Sequence, residues 1–411
     1  MMETVTAERN KDSCHKGLPK VLLLTWEYPP HVVGGLSRHV HGLAGGLKQD
    51  YEVHILTANR GDLSSTELKD GIYIHRVKPL NEKDPNFLHW ILGLNLAMEH
   101  KANELSSFHR FELIHAHDWL VGACGLSLKE SLQCPLITTI HATEYGRNNG
   151  IYTELQKFIH RKEEQLILGS DQVIVCSEYM KEEVLQQFAI ESEKMSVIAN
   201  GISKEPLLDD PDCLLEGLQV KKGGRLIFSI GRMVREKGFD TLIDAAPIIK
   251  EKYPDTYLII AGKGPMLEAH RKKAKELKVD DVIHFPGFIN DMQRAALFLK
   301  CEFAVFPSYY EPFGIVALEA MIAGKPAIVS NTGGLKGIIK HRYSGLFMTP
   351  GDPDSFIEQA SALLEDPKAV LTIGRQGQKV AESLFSWGRI AEETKRVFQE
   401  TLISQKLEDL V

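Results

Sequence analysis

The chain alternates short apolar runs with longer helix-like segments, and this alternation starts twice. Lys20 to Thr25 is predicted to form the first buried strand, and a helix is predicted from about Ser37 to Asp50. Further strands are predicted near residues 52–57, 72–76, 113–115, 136–140, 172–176 and 196–198. Near-continuous apolar strands between helices are typical of a parallel sheet that is covered on both faces.

The pattern begins again after a polar, glycine-bearing stretch from Ser203 to Gly224. Arg225 to Ile230 is predicted to form a new first strand, and others follow near residues 257–261, 282–285, 303–307 and 327–330. One core rarely grows beyond ~300 residues, so a chain of 411 residues is expected to form two domains. The predicted fold class is therefore α/β, with two doubly wound Rossmann-like domains that face each other across a cleft.

Four segments follow from this pattern. We predict a flexible tail over residues 1–17, an N-terminal domain over 18–202, a C-terminal domain over 203–385 and a terminal helical segment over 386–411. In doubly wound sheets, ligands bind beyond the carboxyl ends of the strands. The residues that follow each predicted strand are therefore the candidates for a site in the cleft.

Composition excludes several classes of protein. A net charge of −7 argues against nucleic acid as a binding partner. No apolar run reaches the ~18 residues of a bilayer span, so we expect no integral membrane segment, and the polar N-terminus does not resemble a secretory signal. The six scattered cysteines form no C-x-x-C pair, which favours a reducing, cytoplasmic location without structural zinc.

Two carboxylates, Glu311 and Glu319, bracket the start of a predicted helix in the stretch SYYEPFGIVALEAM. Eight helical residues rise ~12 Å, whereas the paired acids of glycosidases lie ~5–9.5 Å apart. These acids are therefore expected to hold two different parts of one ligand, while N–H groups near Phe313, Gly314 and Ile315 take a phosphate between them. A single glutamate at a helix start can also simply complement the helix dipole.

Basic and glycine residues follow other strands of the second half. Arg232 and Lys237 come after its first strand, and their charges can neutralise a leaving diphosphate, although a solvated loop would read the same. Gly264 belongs to a G-x-G turn after the next strand. The segment Phe285 to Ile289, which contains Phe288, ends the following strand and either flanks a nucleotide base or forms a hydrophobic corner.

Candidate residues of the first half also follow strands. Gly34 and Gly35 lie between the first strand and its helix, where they form a phosphate contact or only a tight turn. HAHDW (His115 to Trp119) ends one strand and His141 ends the next. His115 and His117 can be interpreted as metal ligands, but hydrogen-bonded structural histidines are commoner. Two Asp-Pro-Asp triplets, 210–212 and 352–354, are interpreted as turns or helix caps.

These pieces, in this order, resemble the retaining glycosyltransferases of family 4, which have the GT-B fold. The resemblance covers about Val21 to Gln399, and its specific part is Glu311-x7-Glu319 with Arg232 and Lys237. Within the family, glycogen and starch synthases look most similar, through HAHDW, through the segment with His141, Tyr145 and Gly146, and through TGGL at 332–335. Val32 stands where those synthases usually carry lysine.

The resemblance implies a role for each matched residue. Arg232 and Lys237 stabilise the leaving diphosphate, Glu319 holds the ribose and Glu311 holds the sugar hydroxyls. His141 contacts the sugar from the opposite domain, and Gly35 lies behind the phosphate. The implied donor-binding set also includes Gly34, Phe313, Gly314, Ile315, Gly264 and Phe288; the implied acceptor residues are Asp118, Trp119 and Tyr145.

The resemblance also implies a reaction that needs no cofactor or metal. The co-substrate is a nucleotide-diphosphate sugar, ADP- or UDP-glucose, and the acceptor is an α-glucan. The terminal helix, from about Ser386, is expected to cross back to the N-terminal domain, and domain closure completes the site.

Two other functions stay open at this point. One is a transferase that uses a UDP- or GDP-sugar with a lipid or small-molecule acceptor. The segment Phe87 to Met98 can face a membrane or form a half-buried helix, and residues 1–202 carry 20 Lys and Arg against 26 Asp and Glu, which does not favour a membrane surface. The other is a non-catalytic sugar-binding module, which the presence of all four charged site residues argues against.

Overall fold

The structure is a computed structural model, and it describes residues 17–203, 212–221 and 223–408. The predicted tail, apart from Gly17, lies outside the described residues. Parts of the predicted 203–224 connection, including Asp210 of one Asp-Pro-Asp triplet, and the last residues of the predicted terminal segment also lie outside them.

Two separate sheets organise the described part of the chain. The first contains β1 (Lys20–Leu24), β2 (Glu52–Ala58), β3 (Thr66–Lys69), β4 (Ile72–Val77), β5 (Leu113–His117), β6 (Leu136–Ile140), β7 (Gln172–Val175) and β8 (Met195–Val197). Its strands lie in the order β3-β4-β2-β1-β5-β6-β7-β8. All neighbours are parallel except β3, which is antiparallel to β4.

The second sheet is entirely parallel. It contains β9 (Arg225–Ile230), β10 (Thr256–Ala261), β11 (Ile283–Gly287), β12 (Phe303–Phe306), β13 (Ala327–Ser330) and β14 (Leu346–Met348). The strands lie in the order β11-β10-β9-β12-β13-β14. The predicted α/β class with two doubly wound sheets is thus confirmed.

Helices cover the faces of both sheets. They are α1 (Gly35–Leu47), α2 (Phe87–Ser106), α3 (Gly122–Leu132), α4 (Glu144–Asn148), α5 (Glu154–Gly169), α6 (Glu178–Gln187), α7 (Asp240–Lys252), α8 (Leu267–Glu276), α9 (Asp291–Lys300), α10 (Ile315–Ile322), α11 (Leu335–Ile338), α12 (Pro353–Leu364), α13 (Pro367–Leu384) and α14 (Trp387–Glu408). None of these helices combines the length and the apolar character that a membrane crossing requires.

The apolar strands are buried on both faces, as expected for parallel sheets. In β1, Leu22 and Leu24 join one core cluster, whereas Val21 and Leu23 join another on the opposite face. The second cluster includes Phe398 of α14, which therefore helps to cover the first sheet. The ring of Phe398 makes an edge contact with Tyr51 at 5.7 Å between centroids.

Two strands were missed from the sequence, and some boundaries were wrong. β3 is a short polar strand with the sequence TELK, and β14 has only three residues, so neither carries a distinct apolar run. Helix α1 begins at Gly35 rather than at Ser37, because the glycine loop leads directly into the helix. Asp352 caps α12 through the N–H groups of Asp354 and Ser355, which agrees with the predicted cap.

The chain crosses between the two sheets twice, and the two crossings lie side by side. The N–H of Ile202 donates to the carbonyl of Phe385 at 2.7 Å, and Ile202 forms a parallel bridge with Ser386. From there, α14 runs against α1, where the Trp387 indole lies over Gly42.

Strand order reverses at one point in each sheet. In the first sheet this point lies between β1 and β5, and in the second between β9 and β12. Connections leave in opposite directions from such a point, which opens a crevice at the carboxyl edge of the sheet. The loops after these four strands therefore contain the residues that a ligand in the cleft would meet.

Candidate functional site

Lys237 and Glu311 face each other across the reversal point of the second sheet. Lys237 follows β9 and Glu311 follows β12, and the Lys237 Nζ lies 2.6 Å from Glu311 Oε2. The hydroxyl of Ser308 donates to the same oxygen at 3.2 Å. Glu311 is buried and Lys237 is half-buried, so this ion pair is shielded on one side and open to the cleft on the other.

Arg232 extends from the same loop and is more accessible. Its side chain is 49% exposed, and Nη2 makes a 3.2 Å contact with Glu236. An exposed pair of this kind holds its partners weakly, so the guanidinium is free to meet an anion. Gly264 packs closely against this loop, because a Cβ atom there would lie 2.5 Å from the carbonyl oxygen of Met233.

Helix α10 begins beside Glu311, and no side chain in the described part of the chain caps its first N–H groups. Gly314 precedes the helix with φ of +112°, a conformation that favours glycine, and a Cβ atom there would lie 2.5 Å from Leu335. Ile315 opens the helix, and Phe313 is buried beneath it. Free N–H groups and the positive end of the helix dipole favour a bound anion here.

Glu319 lies inside α10 and pairs with Arg294, a residue that sequence reasoning missed. Arg294 Nη1 lies 3.3 Å from Glu319 Oε1, and both side chains are at least nine-tenths buried. Glu319 Oε2 has no hydrogen-bond partner among the described residues. A buried carboxylate oxygen without a donor is available to accept a ligand hydroxyl.

Each of the two acids thus has its own cation. Glu311 pairs with Lys237, and Glu319 pairs with Arg294. The glycosidase arrangement, in which two acids act on one bond, is not formed by these pairs. A signal for Arg294 existed in the sequence, because it is a charged residue directly before the apolar run AALFL of a capped helix, α9.

The glycine loop of the first sheet approaches α10 from across the cleft. A Cβ atom at Gly35 would lie 3.1 Å from Ile315 Cδ1. Glu27 fixes this loop, since its carboxylate accepts from the N–H groups of Val33 at 2.5 Å, Gly34 at 3.2 Å and Ser37 at 3.2 Å. Burial raises the pKa of Glu27 above its usual range, and these backbone donors oppose that shift. Glu27 was also missed as a site residue.

His141 follows β6 at the edge of the same crevice. Its N–H donates to Asp118 Oδ1 at 2.7 Å, and its Nε2 lies 3.2 Å from Nδ1 of His117. Burial, with a smaller contribution from the nearby Arg147 charge, lowers the pKa of His141 to about 3. The imidazole is therefore neutral at physiological pH and can either donate or accept a hydrogen bond.

The three acceptor candidates occupy different environments. Asp118 is buried, has φ of +63° and holds the backbone of His141, and burial raises the pKa of its carboxyl to about 6. Trp119 is only 8% exposed. Tyr145 is half-buried in α4. There, Tyr310, from the loop after β12, packs against Gly146. Of the three, Tyr145 is the most accessible to an acceptor.

An aromatic cluster that the sequence analysis did not single out lies at the carboxyl edge of the first sheet. It contains Trp26, Phe87, Trp90 and Arg60. The Arg60 guanidinium lies 5.0 Å from each tryptophan ring, and Phe87 stacks on Trp90 with centroids 6.2 Å apart. Phe87 is 49% exposed. Trp26 directly precedes Glu27, so the cluster adjoins the glycine loop.

Phe288 is also exposed, although the other residues of the segment 285–289 are buried or half-buried. The residue is 64% exposed and the Lys263 ammonium lies 5.2 Å from its ring centre, whereas the neighbouring Ile289 is buried. The hydrophobic-corner interpretation therefore applies to Ile289 and not to Phe288. A flat aromatic surface with an adjacent cation remains available at the cleft side of β11.

Two family models match the chain. One is described as glycosyltransferase family 4 and matches residues 33–205, and the other is described as glycosyl transferases group 1 and matches residues 215–380. The first match covers the first sheet apart from β1, and the second match covers the second sheet.

Known proteins match along nearly the whole length. The chain is 37% identical over 388 residues to an uncharacterized glycosyltransferase of Methanocaldococcus jannaschii, covering 92% of this chain and 98% of that one. It is 31% identical over 399 residues to the glycogen synthase of Mycobacterium tuberculosis, covering 92% and 94%. The crystal structure of HepE of Anabaena, in complex with UDP and glucose, has a TM-score of 0.75 at 21% identity and covers 93% of this chain and 99% of that one.

Proposed function

Because this chain belongs to the family 4 glycosyltransferases, which have the GT-B fold, we propose that it transfers glucose from a nucleotide-diphosphate sugar to an α-glucan with retention of configuration. The observation that carries the proposal is the convergence at the two reversal points. Lys237 and Glu311 meet at one. The glycine loop follows β1 at the other, and His141 follows β6, the strand next to β5.

Donor binding is assigned to the second sheet. Arg232, Lys237 and the free N–H groups of α10 hold the diphosphate, with Gly35 opposite. Glu319 offers its unpaired Oε2 to the ribose hydroxyls. Phe288 lies beside the base. A structural neighbour solved with UDP and glucose supports a nucleotide sugar as the donor.

Transfer then proceeds on one face of the sugar. The acceptor hydroxyl attacks the anomeric carbon from the side that the diphosphate leaves, so a new carbon–oxygen bond forms as the bond to the diphosphate breaks. A diphosphate oxygen takes the acceptor proton. Glu311 and His141 hold the sugar hydroxyls, and Lys237 with Arg232 stabilises the charge on the leaving group. In this proposal no metal ion is required, because these cations and the helix N-terminus supply the positive charge.

A glucan acceptor is supported by two observations. One is the 31% identity with a glycogen synthase along nearly the whole chain. The other is the aromatic cluster, in which Phe87 is exposed and Trp26 and Trp90 are half-buried, since accessible aromatic rings favour contact with sugar rings. The proposal also places the enzyme in the cytoplasm, which the free, buried thiols of Cys124, Cys134, Cys176 and Cys301 support.

A lipid acceptor, with a UDP- or GDP-sugar as donor, is the second candidate. Helix α2 exposes Leu92 and Leu96, at 52% and 56%, on one side of the aromatic cluster. An acyl chain could lie along these leucines. Val32, which is partly exposed near the glycine loop, stands at the position where glucan synthases usually carry lysine. The absence of that positive charge also fits a change of donor.

A donor and acceptor screen tests the proposal. Purified protein is incubated with radiolabelled ADP-glucose, UDP-glucose or a GDP-sugar, in the presence of glycogen, of lipid vesicles or of small sugars. Label precipitating with glycogen, and released as glucose by amylolytic digestion, is the expected result. Label found only in the lipid extract would overturn the glucan assignment and favour the second candidate.

A further inference from the structure

Three histidine rings converge beneath the cleft, and the proposed transfer uses only one of them. His39 belongs to α1, His117 ends β5 and His141 follows β6. One ring nitrogen from each residue lies within 4.8 Å of the other two. His39 and His117 are buried, and His141 is half-buried at the cleft.

The tautomer of His39 leaves one buried ring nitrogen with a free lone pair. Its Nδ1 lies 2.6 Å from Asn200 Oδ1, and because an amide oxygen only accepts hydrogen bonds, Nδ1 carries the proton. Nε2 is then an acceptor, and it is buried with no hydrogen-bond partner among the described residues. A histidine that donates one N–H to an oxygen and leaves the other nitrogen bare has the form of a metal ligand.

In the rings of His117 and His141, two nitrogens already lie about as far apart as two ligands of one metal ion. His117 Nδ1 and His141 Nε2 lie 3.2 Å apart. Two nitrogens at ~2.0–2.1 Å from a tetrahedral ion lie about 3.3–3.4 Å apart. At this distance one of the two nitrogens donates a hydrogen bond to the other. An ion that replaced that proton would meet a lone pair on each ring.

We propose that His39, His117 and His141 bind a divalent transition-metal ion such as Zn²⁺, and that the bound ion inhibits sugar transfer by engaging His141. The inhibitory part rests on the proposed function, in which His141 contacts the donor sugar. Three neutral imidazoles suit Zn²⁺, Ni²⁺ or Cu²⁺ rather than Mg²⁺ or Ca²⁺. His141 faces the cleft, so a water molecule there can complete a tetrahedral site.

A second histidine-containing group provides an internal comparison. Glu52, His54 and His109 also bring three ligand atoms within 4.8 Å. There, the Lys20 ammonium lies 2.5 Å from Glu52 and 3.1 Å from His109, so a cation already occupies the position. This group therefore carries no metal proposal, and His54→Gln serves as the matched control.

Calorimetric titration with zinc tests the binding step. The full-length protein is first treated with a chelator and then titrated with ZnCl₂, as wild type, His39→Gln, His117→Gln and His54→Gln. We expect one tight site in wild type and His54→Gln, and loss of that site in both cluster variants. Equal isotherms in all four proteins would overturn the site. If the variants do not fold, the absorption spectrum of the wild type with Co²⁺ provides the test. Tetrahedral ligation by nitrogen gives intense visible bands, which we expect. The weak spectrum of octahedral, aquated Co²⁺ would overturn the proposal.

Transfer assays test the inhibition separately. The ratio of activity with and without Zn²⁺ should fall severalfold in wild type and stay near one in His39→Gln. Tight binding with an unchanged ratio in wild type would overturn the inhibitory role. If no nucleotide sugar is turned over but the zinc site is still lost in His39→Gln, the proposed function fails while the metal site stands.

Discussion

Lys237 Nζ lies 2.6 Å from Glu311 Oε2, and the two residues follow the two strands between which the order of the second sheet reverses. Seventy-four positions separate them in the chain, so the fold alone creates the pair. Because both are partly shielded and open to the cleft, a ligand at this edge meets a fixed cation beside a fixed anion.

Removing either member of this pair should stop transfer. For Lys237→Ala and Glu311→Ala we expect kcat to fall by roughly 10²–10³-fold, the range found when one preorganised electrostatic group is removed. Initial rates of donor turnover, with circular dichroism to confirm folding, measure this. Lys250→Ala, which breaks an exposed pair with Asp281 in the same domain, is the control. Near-normal rates in either site variant would remove that residue from the chemistry.

Arg294 should matter for stability and for donor affinity. Arg294→Ala leaves Glu319 buried without its cation, and breaking a buried pair costs about 3–5 kcal/mol. The free energy of unfolding, measured in urea, should decrease, and the Kd for a nucleoside diphosphate should increase. Arg38→Ala removes an exposed pair with Asp291 and should cost about 0–1 kcal/mol. Similar losses in the two variants would contradict the account of Glu319.

Alanine substitutions at two glycines of α1, three residues apart, should have different effects on stability. A Cβ atom at Gly42 would overlap the indole of Trp387, whereas no atom of the described residues lies within 4 Å of one at Gly45. Gly42→Ala should therefore lower the melting temperature by disturbing the contact of α14 with α1. Gly45→Ala should be neutral or stabilise by up to about 1 kcal/mol through helix propensity. Equal melting temperatures would show that α14 does not need this close approach.

Glu163 should make stability fall as pH rises. Burial raises the pKa of its carboxyl to about 8 from 4.5, with the Arg147 charge opposing that shift. Between these values the folded protein holds a proton that the unfolded chain releases, so the free energy of unfolding decreases with pH, by up to about 1.4 kcal/mol per unit. Glu163→Gln can still accept from the N–H of Glu144 and should remove this slope.

Thermal melts of wild type and Glu163→Gln, taken at several values from about pH 5 to about pH 8, measure the difference. The variant should gain relative stability toward the alkaline end. Glu154→Gln, an exposed change on the same helix, is the control. Parallel curves for wild type and Glu163→Gln would show that Glu163 does not hold a proton in the folded state.

The fold and the charged residues of the second sheet could be predicted because their signals are local. Apolar runs mark the buried strands. Lys237 and Glu311 follow strands, and Glu319 lies in the helix that begins just after Glu311. Arg294 and Glu27 escaped because their importance depends on partners that the fold brings from elsewhere. Glu27 holds a loop six to ten residues away through backbone N–H groups, which no side-chain pattern records.

The aromatic cluster escaped for a related reason. Trp26, Arg60 and Phe87 follow three different strands, and they meet only because those strands are neighbours at one edge of the sheet. Trp119, in contrast, stood in a suggestive motif and is buried. A motif identifies residue types, but exposure at the cleft depends on packing.

The most direct test of the central claim is a crystal structure of the protein with a bound nucleoside diphosphate. The account predicts diphosphate oxygens within hydrogen-bond distance of Arg232, Lys237 and the N-terminal N–H groups of α10, with the ribose hydroxyls on Glu319 Oε2. Glu311 should remain free to meet the sugar. A nucleotide bound away from the reversal point of the second sheet, or a ribose held by Glu311 instead of Glu319, would contradict it.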